Sequence, residues 1–110
     1  MDYLLTAENV DRLLDVLSVG RAAAKTSDEI QRALGFPRQR TNEATRALVA
    51  YAVNDHHHLI LSGVAGFWIA LDRLEVLDAI RSLEARRIGI AKRITALEEA
   101  YHLRRGEDLT

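Results

Sequence analysis

The strongest constraint on the fold is an apolar pattern that repeats every seven residues in the last third of the chain. Apolar side chains recur alternately four and three positions apart, and only Arg87 interrupts them. A period of 3.5 residues sustained over such a length is typical of a coiled coil, in which two helices bury a common seam. The residues predicted to form this seam are Val76, Ile80, Leu83, Arg87, Ile90, Ile94, Leu97 and Tyr101.

The same region lacks proline and carries its own start signal for a helix. The residues Asp72–Glu75 have the spacing of a capping box, which favours a helix start. One long helix is therefore predicted from Arg73 to about Arg105, with Gly106 as its end. Gly89 is a weak position within it, since glycine costs about 1 kcal/mol relative to alanine in a helix interior.

An apolar seam of this kind requires a second helix to cover it. The rest of the chain has no segment of comparable helical length, so homodimerisation through this helix is predicted. The alternative is that the helix folds back on its own domain, which would bury only its first two turns. Arg87 resembles a polar residue that sets the register of a coiled coil, and its charge would need a partner such as Glu84.

Two shorter helices are predicted near the amino terminus. Thr6 can cap the first, and Gly20 stands where that helix should end. Residues 21–25 form a connector that could continue the helical turn, and TSDE at 26–29 is a capping-box signature that opens the second helix. The predicted inward positions are Val10, Leu13, Leu14 and Leu17 in the first helix and Ile30, Ala33 and Leu34 in the second.

A third helix and a β-hairpin are predicted next. A tight turn at Gly35 is followed by Pro37, which suits the first turn of a helix running to about Ala52. The segments HLILSG and GFWIAL, centred on Ile60 and Trp68, are then rich in β-branched and aromatic residues with glycines between them. Two short strands around a small loop are the best interpretation.

The order of these elements resembles the winged helix-turn-helix family of DNA-binding proteins. Leu34-Gly35-Phe36-Pro37 is similar to the family's turn, and GFWIAL resembles the second strand of its wing. Thr41, Ala44 and Leu48 fall where the third helix of the family points inward. The resemblance covers about residues 6–71 and implies a mostly α fold with a small β-hairpin. The predicted organisation is a winged helix-turn-helix domain at 1–71, a long coiled-coil helix at 72–106 and a tail at 107–110.

A helical projection of the third helix separates an apolar side from a polar side. Ala44, Ala47, Leu48 and Tyr51 share one side, and Arg40 lies nearer to it. Arginine pairs with guanine, and glutamine or asparagine with adenine, in the major groove of DNA. The outward residues predicted to contact DNA bases are Arg38, Gln39, Asn42 and Arg46.

Two further basic residues could contact DNA, and the polar face of the third helix has two alternative uses. Arg21 and Lys25, just before the second helix, are candidates for contacts with phosphates, which position a protein without specifying sequence. The same polar face could instead be solvated without any ligand, or could bind a protein. It holds no lysine and only one acid at its edge, whereas a solvated face usually mixes lysine and glutamate.

The histidine run and the aromatic pair are interpreted structurally. DHHHL at 55–59 could hold a metal through His56 and His58, but no fourth ligand is obvious, so a polar lead into the hairpin is favoured. Phe67 and Trp68 are neighbours in a strand and face opposite sides, so one should fill the core and the other lie against the long helix.

Charge is distributed unevenly along a chain whose formal net charge is only -1. Arg81–Arg105 contains seven basic residues (Arg81, Arg86, Arg87, Lys92, Arg93, Arg104, Arg105) and three acidic ones. These side chains could flank a coiled-coil seam, extend a DNA-binding surface or bind an acidic protein.

Several function classes find no support in the sequence. The chain has no cysteine, no glycine-rich phosphate loop, and no histidine and acid at a recognisable spacing from Ser27 or Ser62, so no enzyme, metal or cofactor is predicted. No secretion signal or long apolar segment is evident, which favours a soluble cytoplasmic protein without membrane contact, nucleoid-associated if it binds DNA.

The sequence therefore predicts a dimeric, sequence-specific duplex-DNA-binding protein. It would be a small transcriptional regulator of bacterial or phage type that inserts helix 37–52 into the major groove. The alternative is a non-enzymatic adaptor or inhibitor that binds a partner protein through the same scaffold and the basic carboxy-terminal helix.

Overall fold

The structure is a computed structural model that describes residues 2–104. The predicted helix end at Gly106, the last basic residue Arg105 and the predicted tail at 107–110 lie outside these residues. Within them the chain forms mostly helix and one two-stranded antiparallel sheet. The elements are α1 (Ala7–Val16), α2 (Ser27–Leu34), α3 (Glu43–Asn54), β1 (Ile60–Gly63), β2 (Gly66–Ile69) and α4 (Arg73–Leu103), with short 3-10 turns at Asp2–Leu4 and Arg21–Ala23.

The chain divides into two compact units, Met1–Ala79 and Ile80–Thr110. The first two turns of α4 therefore belong to the first unit. Among the described residues, no helix has both the length and the apolar composition needed to cross a bilayer.

Helix α1 begins as predicted and ends earlier than predicted. The Thr6 hydroxyl accepts a hydrogen bond from the Asn9 amide at 3.1 Å, which caps the helix. The helix stops at Val16 because the next residues pair with β2: the Ile69 amide donates to the Ser18 carbonyl at 2.9 Å, and Gly20 donates back to Ile69 at 2.8 Å. Pairing with the sheet, rather than the glycine, ends α1.

Helix α2 confirms its predicted signals at both ends. Thr26 and Glu29 exchange the two hydrogen bonds of a capping box, at 3.0 and 3.2 Å. Gly35 ends the helix in the left-handed conformation, with φ 71°. One inward position is wrong, since Ala33 is exposed and Gln31 is buried in the interior.

Helix α3 begins at Glu43, six residues after the predicted start at Pro37. Residues 36–39 have no regular secondary structure, and Asn42 adopts the left-handed conformation with φ 55°. The inward prediction holds for Ala44 and Leu48, which are both buried, whereas Thr41 is exposed in the loop.

The hairpin has the predicted strands in antiparallel register, with Leu61 opposite Trp68 and Val64-Ala65 as its tip. Lys25 pairs with β2 through both of its backbone groups, because its amide donates to the Phe67 carbonyl and its carbonyl accepts from the Phe67 amide. The segment before α2 therefore runs along the sheet.

The core lies between the three short helices and the hairpin. Phe67 packs against it, while Trp68 is buried and donates its indole N–H to Glu75 Oε1 at 3.1 Å. The predicted opposite placement of the two aromatic residues is confirmed. The buried core residues are Val10, Leu13, Leu17, Ile30, Leu34, Leu48, Val49, Ala52 and Ile60.

Glu75 ties the first turn of α4 to the sheet. Its carboxylate accepts from the backbone amides of Arg21 at 3.0 Å and Leu71 at 2.9 Å, in addition to the Trp68 indole. These bonds, with the Arg21 amide first, lower the pKa of Glu75. Asp72 accepts from the Glu75 amide at 3.0 Å, so only half of the predicted capping box forms.

Helix α4 is continuous through Gly89 and has no buried residue. Glu75, Val76 and Leu77 in its first two turns are half-buried, whereas every described residue from Ile80 onward is exposed. The long carboxy-terminal helix is confirmed, and its apolar seam is uncovered in the single chain.

Candidate nucleic-acid interface

The amino-terminal end of α3 is capped by two glutamine side chains. Gln39 Oε1 accepts from the Ala44 amide at 2.9 Å. Gln31 Oε1 accepts from the Thr45 amide at 3.2 Å and from its hydroxyl at 2.6 Å. The first amides of a helix have no partner within the helix, so these bonds stabilise a start at Glu43.

Gln31 also holds the loop that precedes α3. Its side-chain amide donates to the Pro37 carbonyl at 2.7 Å and to Gln39 Oε1 at 3.3 Å. Pro37, whose carbonyl is bound from α2, lies in a segment without regular secondary structure and does not open a helix. The predicted helix 37–52 is therefore wrong over its first six residues.

Asn42 is an internal residue of this site. It is 5% exposed and donates to Ser27 Oγ at 3.0 Å and to Asp28 Oδ1 at 2.6 Å. The prediction that Gln39 and Asn42 face outward from the third helix is thus wrong, because both residues precede the helix. The side-chain oxygen of Gln39 and the side-chain N–H groups of Asn42 bind other residues of the protein.

Three arginines of the segment remain on the surface. Arg38 and Arg40 are exposed in the loop, and Arg46 is exposed in the first turns of α3. Over residues 2–104, none of the three has a carboxylate within salt-bridge distance. The expected tilt of Arg40 toward the domain is wrong, because the loop carries its side chain into solvent.

Glu43 accompanies Arg46 at the start of α3. The Thr41 hydroxyl donates to its carboxylate, and this bond, the Glu43 amide and the nearby Arg46 charge lower the pKa of Glu43. A negative charge is also favourable at the amino end of a helix. Glu43 therefore stays ionised beside Arg46.

The exposed face of α3 is narrow and carries two charged and two uncharged side chains. Glu43, Arg46, Ala50 and Asn54 are exposed at positions that fall on one side of a helix. The opposite side is buried against α1 and α2. A surface approaching this helix would meet two long charged side chains, Glu43 and Arg46, and two shorter ones, Ala50 and Asn54.

A polar cleft of about 320 Å³ separates α2 from the loop. Two cationic side chains, Arg32 and Arg38, line it, and Asp28 lies at the same cleft, which offsets part of their charge. The lining residues are Asp28, Gln31, Arg32, Gly35, Phe36, Arg38 and Asn42.

The other two predicted DNA contacts, Arg21 and Lys25, lie along the sheet. The Arg21 guanidinium is 5.8 Å from the centre of the Trp68 ring, and Lys25 is half-buried with its backbone paired to Phe67. The structure does not group them with the arginines of the loop and α3.

The histidine run lies between α3 and β1, where Asp55 and His56 form a turn and β1 begins only at Ile60. His56 packs edge-on against Tyr51 with ring centres 4.8 Å apart, and His56 and His58 are parallel at 6.4 Å. His57 is exposed with φ 59°. The described residues contain no group of three or more side chains that could hold a metal.

No protein-family model matches the chain, and no curated protein or solved structure is significantly similar to it.

Proposed function

We propose that the chain is a dimeric duplex-DNA-binding protein that regulates transcription. The observation that carries the proposal is the trio Arg38, Arg40 and Arg46, which are exposed and have no carboxylate within salt-bridge distance among the described residues. They occur where α2, a loop, α3 and a hairpin follow one another in the order of a winged helix-turn-helix domain.

Helix α3 is the element that enters the major groove in this proposal. Helix-turn-helix proteins contact base edges from the first turns of that helix, and Arg46 occupies this region. Its guanidinium can pair with O6 and N7 of guanine, while Ala50 one turn later can contact a thymine methyl group. The short side chains of Ala50 and Asn54 let this part of the helix backbone approach the bases.

Arg38 and Arg40 act on the phosphates. Their loop precedes the helix, so their charges flank Arg46 in sequence, and phosphate contacts set the register of the protein on DNA. Gln39 and Asn42 have a different task, because they hold the loop and the helix start in place. This assignment keeps Arg46 from the four base contacts predicted from the sequence and gives the other three residues different roles.

Dimerisation occurs through the apolar seam of α4. Six large seam residues, Ile80, Leu83, Ile90, Ile94, Leu97 and Tyr101, are each at least 50% exposed in the single chain. A second copy would cover them, and a dimer would bind two half-sites.

Fluorescence anisotropy with a labelled pool of random duplexes tests DNA binding. Two copies each of Arg38 and Arg40 neutralise about four phosphates, so log affinity should fall against log salt concentration with a slope of about 4. Arg38→Ala should reduce the slope by about 2 in a dimer. Arg73→Ala removes the same charge from α4, outside the loop and α3, and should leave the slope unchanged.

Selection of bound duplexes from the random pool tests sequence readout. Two similar half-sites should be enriched, and Arg46→Ala should cost about 1–3 kcal/mol per half-site at one base position. Circular dichroism checks that each variant is folded. Absence of binding to the pool even at low salt would show that the proposal is wrong.

A protein-binding adaptor is the second candidate. The tip of the hairpin favours it, because Val64 is fully exposed and no basic residue lies between Ser62 and Gly66 to meet a phosphate. In that case Arg81→Glu with Lys92→Glu, two exposed basic residues of α4 outside the seam and its flanking positions, should abolish capture of the partner, while Arg38→Ala should not.

A further inference from the structure

The uncovered seam of α4 has a definite heptad assignment. The three-residue and four-residue steps place Ile80, Arg87, Ile94 and Tyr101 at a positions and Leu83, Ile90 and Leu97 at d positions. Isoleucine at a with leucine at d, which occurs in two of these heptads, favours two-stranded parallel coiled coils.

The residues that flank the seam separate by charge. The e positions are Glu84, Ala91 and Glu98, and the g positions are Arg86, Arg93 and Ala100. Every charged e residue is thus acidic and every charged g residue is basic. In a parallel pair a g residue faces the e residue five positions later on the other helix, whereas an antiparallel pair opposes e with e and g with g.

Parallel pairing brings Arg93 of each copy opposite Glu98 of the other. Both side chains are exposed, and neither has an ion-pair partner within the described part of its own chain. An antiparallel pair would instead place acidic residues against acidic ones and arginines against arginines, which is destabilising.

Arg87 at the seam is compatible with the parallel arrangement. Its guanidinium binds Glu84 Oε2 of the same helix at 2.6 Å, which places a compensating carboxylate one turn away. A single polar residue at an a position is a known way to specify register and the number of strands. In register, the two Arg87 side chains lie opposite each other, and their mutual repulsion is offset by the Glu84 carboxylate of each helix.

We infer that α4 pairs in parallel and in register with α4 of a second copy of this chain. The two helices bury the seam from Ile80 to Tyr101 and form two symmetric Arg93–Glu98 ion pairs. This inference rests on the dimer of the proposed function and adds the orientation, the register and the residues that select them.

Single cysteines test the orientation, because the chain contains no cysteine of its own. Leu83→Cys and Leu97→Cys, oxidised with glutathione disulfide, should each form a disulfide between copies. Ala85→Cys and Glu99→Cys, two positions away and outside the seam, are the matched controls and should stay uncrosslinked.

The two seam positions discriminate sharply between orientations. They are 14 residues apart, which is about 21 Å along a helix, whereas a disulfide needs Cα atoms within about 7 Å. In an antiparallel pair a residue lies opposite the same residue of the other chain only near the centre of the overlap. Crosslinking at one position or at neither would overturn the inference.

Charge reversal gives an independent test of the ion pairs. Arg93→Glu should raise the dissociation constant of the dimer about tenfold, because two attractions become two repulsions. Adding Glu98→Arg should return it to within about threefold of the natural chain. An antiparallel dimer would respond with the opposite sign, since Arg93→Glu would then relieve a repulsion.

Light scattering and DNA anisotropy on the same samples separate the possible failures. A dimer without the expected crosslinks would disprove the orientation and leave dimerisation standing. A monomer at high concentration would disprove both. Intact crosslinks without DNA binding would confirm the helix pairing and disprove the DNA-binding function.

Discussion

Large apolar residues form a buried core in the first unit of the chain, whereas those described in the second unit are exposed. In the first unit Leu13 and Leu48 are completely buried, whereas Ile94 and Leu97 on α4 are 51% and 64% exposed. The first unit has a core of its own. The second, over its described residues, is one helix whose apolar seam is exposed.

Polar side chains differ in the same way between the units. Gln31, Asn42 and Thr45 are buried and bonded to residues from other elements. The Arg87–Glu84 pair on α4 is local and exposed, and such surface pairs contribute only about 0.3–0.5 kcal/mol. Tertiary contacts define the first unit, and local helix formation defines the second.

The largest expected effect contrasts a core residue with a seam residue. Leu13→Ala should lower the free energy of unfolding of the first unit by about 2–5 kcal/mol, because it leaves a cavity in a packed core. Thermal melts should show this loss at every protein concentration. Ile94→Ala should shift a melt only at concentrations where the chain is dimeric, and an equal loss in dilute and concentrated samples would contradict the comparison.

The second effect concerns Gly66 at the start of β2. Its φ is 119°, and an added Cβ would collide with the Lys25 carbonyl oxygen. Gly66→Ala should destabilise the first unit by about 3 kcal/mol, measured by urea unfolding. Gly63→Ala in the same hairpin is the control, since its φ is ordinary and its Cβ would make only a normal contact with Trp68. Equal effects of the two variants would refute the account.

Gly89 should respond with the opposite sign. It lies inside α4, and a Cβ there would meet no atom within 4 Å. Gly89→Ala should stabilise the helix by about 1 kcal/mol, visible as higher helicity and a higher melting temperature in circular dichroism. A loss of stability would mean that another chain packs closely at this position.

The smallest effect is confined to acid pH. The pKa of Glu75 is lowered below its ordinary value of 4.5, first by the Arg21 amide, so the unfolded chain binds the proton more readily. The stability that Glu75 contributes is present above the unfolded pKa and is lost as the pH falls through the folded pKa. Urea midpoints measured from pH 7 to pH 3 should fall less steeply for Glu75→Gln. Identical profiles would show that the carboxylate does not hold α4 to the sheet.

Much of the secondary structure could be predicted because its signals are local. The capping box at Thr26, the glycine that ends α2 and the hairpin around its two-residue tip depend on residues within a few positions of one another. Burial of Gln31 was missed, since one turn of helix cannot show which polar side chain will face inward. A glutamine flanked by inward Ile30 and Leu34 was the available signal.

The candidate site was harder to predict than the fold. A helical projection started at Pro37 placed Gln39 and Asn42 beside Arg46, but those residues precede the helix. The positions of Arg38 and Arg46 on the surface were predicted correctly. The position of Arg40 was not, because the projection applied helical geometry to a loop.

By itself the sequence determined the long helix α4, the hairpin and the caps, because each needs only neighbours along the chain and a regular apolar period. Only the tertiary structure decided where α3 begins and which polar residues are used inside. Asn42 binds Ser27, fifteen positions away, and Thr45 binds Gln31, fourteen away. Such bonds form only after α2 and α3 have packed, so no pattern of neighbouring residues could reveal them.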